Sequence, residues 1–388
     1  MVVSAVLAAL LITAGVAAAL SIDDPGTASS SRPDPTPVQT EPQDPLDGIE
    51  LDALQSARIG ELLEFVDWLD ENGAQGYIGE LGWSRTDPEW QELADYWYRV
   101  ADAEGLWTTA WAAGSTWSDD YALTIYHAES RADGLSTFYA PARVLEVEGR
   151  VERHGVNLAG LEFGTQAESF SAQEPGLLGQ DYFDEPAASF AYLAGRGIDL
   201  VRLPFRWERL QPEPGGALDA DYVRTIEDML DAAAEQGIDV VLDLHNYGVF
   251  ETSDGTLRLG SGELPRDALT DVWLRMSARW SDHPAVLAYG LMNEPHSLGD
   301  GSTRESAVQW ELTTQSTLDA LRDAGDTTLL MIPGYDWSSL RRWSENHPVG
   351  WISDPANNFR YEAHHYWDDI GEGAYALPYA DERAMLAD

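Results

Sequence analysis

Two glutamates close apolar runs in this chain. Glu80 ends "AQGYIGELG" (74–82) and Glu294 ends "VLAYGLMNEP" (286–295). A pair of carboxyl groups suits cleavage of a glycosidic bond when one is ionised and the other protonated: the acid protonates the leaving oxygen while the carboxylate meets the anomeric carbon. Arg202, inside the apolar run "LVRLPF", demands an anion nearby. Glu80 is its expected partner, which would keep that carboxylate charged as a nucleophile. Glu294, flanked by the Asn293 amide and apolar residues, would be raised and serve as proton donor. Other polar residues fall at comparable run ends: His245 and Asn246 in "LDLHNYG", His364 and Tyr366 in "YEAHHYWD", and Trp111 in "TTAWAAG". Metal hydrolysis fits less well, because His364 and His365 are adjacent on one strand, alternate faces and cannot readily share an ion. The expected site therefore holds no metal.

Something must bring these residues together. Helical patterns that end in Gly or a polar turn alternate with compact apolar runs, as in "FAYLAGRGIDLVRLPF" and "MLDAAAEQGIDVVLDLH". The runs are continuous rather than alternating, as in parallel strands covered on both faces. Strands are predicted near 76–80, 106–112, 155–162, 198–205, 238–245, 285–293, 328–333 and 359–364. Eight such strands predict a (β/α)8 TIM barrel, whose C-terminal strand ends share one face. An open doubly wound sheet would gather its polar residues at one switch point and bring a Gly-rich loop, and the chain has neither feature. Trp83, Trp111, Trp117, Trp207, Trp337 and Trp367 lie at or past strand ends. Half of them are expected to be packing, with Trp111 as the sugar-facing candidate.

Composition narrows the partners. With 67 acidic and 23 basic residues the formal charge is −44, and every base is Arg. Such a surface should repel nucleic acid and anionic lipid, which leaves neutral or cationic partners. The absence of Cys excludes disulfides and thiol chemistry. Residues 1–21 read as a signal peptide or membrane anchor and imply a secreted protein. Residues 22–48, rich in Pro, Ser, Thr and Asp, read as a disordered linker that could tether the rest to a membrane. The catalytic domain is expected over 49–388, acting as a monomer.

Taken together, "HGVNLAGLEFG", "VRLPFRWERLQP", "VVLDLHNYG", "GLMNEPH", "MIPGYDWSS" and "ANNFRYEAHHYWD" resemble the strand motifs of glycoside hydrolase family 5, the cellulase family, most of all its endo-β-1,4-glucanases. The resemblance implies retaining hydrolysis of β-1,4-glucan without a cofactor. It makes Glu294 the acid/base, and it has Asn293 bond the sugar 2-hydroxyl. Arg202 and Tyr366 would hold the nucleophile, His245 and His364 would line the cleavage subsite, and Trp111 would form its platform. In the family the nucleophile strand and the Trp strand come last, whereas "YIGELG" and "WTTAWAAG" come first here. A circular permutation accounts for this, since a closed barrel has no first strand. Its termini would lie in the loop after "HHYWD", with "LPYADERAMLAD" abutting the helix near 51–71 and 136–153 joining the family's usual ends. Glu372, only six residues past Tyr366, is too close to start the next strand and belongs to a solvated loop. Other β-glycans (mannan, xyloglucan, mixed-linkage glucan) and silent glycan binding remain as alternatives, with loops 163–190 and 247–270 shaping the cleft.

Overall fold

The computed structural model describes residues 44–118, 120–125, 153–298 and 303–386. Eight parallel strands close into a barrel: β1 (Gly76–Gly82), β2 (Trp107–Ala113), β3 (His154–Leu158), β4 (Leu200–Phe205), β5 (Asp239–Leu244), β8 (Val286–Gly290), β9 (Leu329–Pro333) and β10 (Phe359–Tyr366). A two-stranded antiparallel ribbon, β6 (Val249–Thr252) and β7 (Gly255–Arg258), follows β5 on the way to the next helix. Strands neighbour one another in chain order, and β1 pairs with both β2 and β10. Closure removes the open-sheet alternative.

Local chemistry sets the helix boundaries. Asp52 caps the helix Ala53–Glu71 in a capping box with Gln55. Asp87 caps Pro88–Ala103, with Pro at the first helical position, where its missing N–H costs nothing. Gly237, at φ 69°, ends Ala220–Gln236 in the left-handed conformation that glycine tolerates. Trp90, Trp97, Trp273, Trp280 and Trp310 on the helices and Trp343 after β9 are fully buried around the sheet. At about 25 cal/mol per Å² of apolar surface, and 150–250 Å² per aromatic side chain, each contributes roughly 4–6 kcal/mol as an upper estimate.

The barrel interior changes character from bottom to top. Tyr77, Leu200, Val241, Ala288, Leu329 and Met331 make an apolar floor. Two residues further along several strands stand Arg202, Asp243 and Glu362, all fully buried. Above these come His245, His364 and Tyr366 at the C-terminal rim. Glu80 joins that upper tier through a β-bulge. Ile78 pairs with Ala363 but Glu80 with His364, so Gly79 is an extra residue in β1 that keeps the Glu80 side chain pointing inward.

Two strands stop short of their predicted ends. β3 ends at Leu158, just before Gly160 at φ 157°. β8 ends at Gly290, so Asn293 and Glu294 sit beyond it in a turn, and Glu294 adopts φ 43°. A non-glycine residue held there stores roughly 1–3 kcal/mol of backbone strain, and such residues cluster at functional sites. The signal or anchor segment, most of the linker and the joining segment 136–152 lie outside the described residues. Among the described residues no helix is long and apolar enough to cross a membrane.

Candidate active site

Arg202 organises the site from below. Its Nη1 donates to Glu80 Oε1 and to Asn157 Oδ1, both at 2.9 Å, and its Nη2 donates to Asn293 Oδ1 at 2.7 Å. The same Nη2 lies 3.0 Å from Asp243 Oδ1 and 3.2 Å from Glu362 Oε1. Tyr366 donates its hydroxyl to Glu80 Oε2 at 2.8 Å. Asn157 also donates to Gly79 O and Thr109 O, tying the bulge to β2 and β3.

His364 stands between the two glutamates. Its Nδ1 is 2.8 Å from Glu294 Oε1 and 3.7 Å from Glu80 Oε2, while its Nε2 is 3.3 Å from Glu362 Oε1. Burial alone would lower this imidazole. The Glu80 charge and the hydrogen bonds to Glu294 and Glu362 outweigh burial and push it up to about 10. The glutamates part in opposite directions. Burial works against the Glu80 carboxylate, but the His364 and Arg202 cations and the Tyr366 hydrogen bond hold it below the usual range. Glu294 is raised, first by burial and then by the Glu80 charge, against a lowering hydrogen bond from His364. The two facing carboxyl groups thus differ in proton affinity, Glu80 favouring the carboxylate and Glu294 the acid.

His245 is fixed in its neutral form. Burial drives it well below its ordinary value. Nδ1 lies 2.8 Å from Asp243 Oδ2, which leaves Nε2 to accept from Tyr247 and Asn293 at 3.1 and 3.2 Å. Trp111 stacks over this imidazole at 5.6 Å, with 15° between the rings. Glu80, Glu294 and His364 each place one polar atom within 4.8 Å of the others.

Eight of the predicted site residues meet around this centre: Glu80, Trp111, Arg202, His245, Asn293, Glu294, His364 and Tyr366. The ninth, Asn246, stands behind them as a support. It is fully buried, its Oδ1 accepts from Trp207 N, and its Nδ2 donates to Glu208 and Val249 O. Of the six tryptophans, Trp83, Trp207 and Trp367 are core, while Trp111, Trp117 and Trp337 remain accessible. His365 points away from His364, to Glu61 and Trp97. A cleft of about 340 Å³ opens beside Glu294 between Trp337, Arg342, Tyr366 and Ile370. Glu372 is exposed, as expected of a solvated loop, and also lines this cleft. Trp337 is backed by His296, stacked at 3.6 Å. Asn157, Asp243, Tyr247 and Glu362 were not singled out from sequence. Glu362 and Asp243 lie two positions before His364 and His245, so the strand period alone would have put them on the same face.

The sequence profile of the family described as Cellulase (glycosyl hydrolase family 5) matches residues 155–384, well over half of the chain. Among curated proteins, the manganese dependent endoglucanase Eg5A of Phanerodontia chrysosporium is 28% identical over 282 residues, 69% of this chain and 67% of that protein. Among solved structures, Pseudomonas stutzeri endoglucanase Cel5A is 37% identical with a TM-score of 0.51, over 59% of this chain and 66% of that one. XacCel5A in complex with cellopentaose is 35% identical with a TM-score of 0.50, over 58% of this chain and 68% of that one. The matched part thus spans about two thirds of each relative's length. With the closed barrel and the paired glutamates beneath these likenesses, the chain belongs to the cellulase family, glycosyl hydrolase family 5.

Proposed function

We propose that the protein is a retaining endo-β-1,4-glucanase that cuts β-1,4-glucan by double displacement. The observation that carries this reading is the pair Glu80 and Glu294, with carboxyl oxygens within 4.8 Å and proton affinities shifted in opposite directions. Inverting enzymes need a gap of roughly 6.5–9.5 Å for a water, so the short separation favours a covalent intermediate. In the first step Glu294 gives its proton to the glycosidic oxygen, Glu80 attacks the anomeric carbon, and the leaving sugar departs with that proton. In the second, Glu294 takes a proton from water, the hydroxide attacks the anomeric carbon, and Glu80 is released as a carboxylate. Esterification of Glu80 removes the charge that raises Glu294, so the acid of the first step becomes the base of the second.

Charge on the nucleophile is maintained by Arg202, His364 and Tyr366. Trp111 offers an apolar face to a sugar ring, whose hydroxyls would compete for the hydrogen bond that Asn293 Nδ2 and His245 Nε2 now make with each other. The cleft beside Glu294 lies on the acid's side of the pair, where the leaving sugar must be. The relatives' names support glucan as substrate, and the complex of XacCel5A with cellopentaose supports a β-1,4-linked chain.

The same proposal includes a permuted strand order. The profile match starts at residue 155, on β3, and the solved relatives cover about three fifths of the chain, which leaves room for β1 and β2 outside a co-linear alignment. Glu80 and Trp111 nonetheless stand between β3 and β10 in the ring, where the barrel needs them.

Reducing-sugar release from carboxymethylcellulose, set beside mannan and xyloglucan, tests the substrate. Glucan should be cut fastest; a preference for mannan would replace β-1,4-glucan in the proposal. Glu80→Gln and Glu294→Gln should each lower kcat by about 10²-fold or more, and Glu372→Gln should leave most of it. A nearly normal rate in the Glu80 variant would sink the assignment.

A further inference from the structure

One fully buried carboxylate takes no part in the double displacement. Glu362 sits on β10 two residues below His364, on the same inward face. Its Oε1 lies 3.2 Å from Arg202 Nη2 and 3.3 Å from His364 Nε2, and its Oε2 has no hydrogen-bond partner among the described residues. The slot it fills exists only because the bulge residue Gly79 has no side chain, since a Cβ there would collide with Oε1.

Counting charges shows what Glu362 is for. Arg202 brings a single positive charge, and three buried carboxyl groups converge on it: Glu80, Asp243 and Glu362. Burial pushes Asp243 up to about 7, yet Glu80 and Glu362 still set two carboxylates against one guanidinium, which is costly in a water-free interior unless a second cation stands by. His245 cannot supply it, being held neutral by burial. His364 Nε2 is the remaining basic group in contact with Glu362.

We propose that Glu362 is a positioning residue for the reaction: wedged between Arg202 and His364, its carboxylate fixes the His364 ring and keeps both ring nitrogens as donors, with Nδ1–H aimed at Glu294. This rests on the reading of Glu80 and Glu294 as the reacting pair. The consequence for them is specific. With Nδ1–H occupying Glu294 Oε1, the acid's own proton is confined to Oε2, free for the leaving oxygen. A neutral ring with a bare Nδ1 would instead accept that proton and draw it away from the substrate. The charged groups around the ring are Glu80 from β1, Arg202 from β4, Asp243 from β5, Glu294 beyond β8 and Glu362 from β10 itself, with Tyr366 a donor above. The loop after β9 adds Arg342 on the cleft wall, already paired with Asp336.

The test is imidazole ¹⁵N NMR of the full chain with labelled histidine, the His364 signal being assigned by its loss in His364→Asn. In the parent protein both His364 nitrogens should remain protonated from pH 5 to 8; a neutral ring in that range overturns the proposal without any variant. In Glu362→Gln, which keeps the shape and removes the charge, His364 should titrate at least one pH unit lower. The alkaline limb of kcat against pH should move down with it, kcat at the parent's optimum should fall about tenfold or more, and KM should stay within about threefold. Glu362→Asp, which keeps the charge, should recover part of the shift in the limb. A Glu362→Gln protein that is slower but has an unmoved His364 titration and an unmoved alkaline limb would make Glu362 merely structural. The NMR arm reports on the Glu362–His364 pair even if Glu294→Gln proves fully active, so failure of the catalytic assignment is separately visible.

Discussion

The Tyr366 hydroxyl donates to Glu80 Oε2 with the phenol itself buried, so this bond stabilises the charge of the proposed nucleophile where water cannot. A hydrogen bond to a charged group contributes about 1.5–3 kcal/mol, or roughly one to two pH units on the carboxyl it serves. Glu80 must be ionised to attack, and its value is depressed, so activity is present above that value and lost as pH falls through it. In Tyr366→Phe the carboxyl rises, and the acid limb of kcat/KM should move up by about one unit; an unmoved limb would separate the tyrosine from the nucleophile. On the alkaline side both the Glu294 proton and the His364 imidazolium must survive, so that limb follows whichever is lost first; each is raised above its ordinary value. At this scale the sequence was informative, because an Arg in an apolar run and a Glu at a strand end announce each other by charge. Adjacency to His245 says nothing of where Asn246 points, and its amide is consumed inside by Trp207 N, Glu208 and Val249 O.

Strand β1 shows how an element sets chemistry. If Gly79 held an ordinary ladder position instead of a bulge, inward and outward positions would alternate straight through, and Glu80 would point at the helices rather than at His364. Gly79 is needed for space, not for an unusual backbone angle. Gly79→Ala drives a methyl into Glu362 Oε1, and the misfit should cost about 1–3 kcal/mol of stability by chemical denaturation, together with a marked loss of kcat. A variant of parental stability and rate would show that the slot relaxes freely. The eight strands were legible because a continuous apolar run between punctuated helices has few other meanings. The bulge was not, since "YIGELG" reads as a plain strand and the surplus residue exists only relative to β10. The early end of β8 escaped for a related reason: hydrophobicity continues through Leu291 and Met292 after the ladder has stopped.

For the molecule as a whole, a formal charge of −44 without a single Lys makes the folded state repel itself. The Debye length shrinks from about 10 Å at 0.1 M salt to about 3 Å at 1 M, so Tm should rise by several degrees over that range. A flat response would mean that the acidic groups are already locally compensated. The ends of the described fold are clasped together: Tyr379 donates its hydroxyl to Asp52 Oδ2 at 2.9 Å and its N–H to Asp87 Oδ2 at 3.1 Å, and its ring meets Trp90 edge-on. Tyr379→Ala should cost about 3–5 kcal/mol, read as a lower denaturant midpoint, if the clasp is integral to the barrel. A re-cut chain running 153–386, a flexible linker, then 44–125 should fold and keep cellulase activity within a few fold if the strand order is permuted; an unfolded product would tell against that order. The ring closure between β1 and β10 also has a temporal side. Glu80 is synthesised 286 positions ahead of the tyrosine that holds it. A growing polypeptide therefore carries its proposed nucleophile long before anything can charge or aim it, and on that assignment hydrolysis must wait for β10 to emerge and seal the ring.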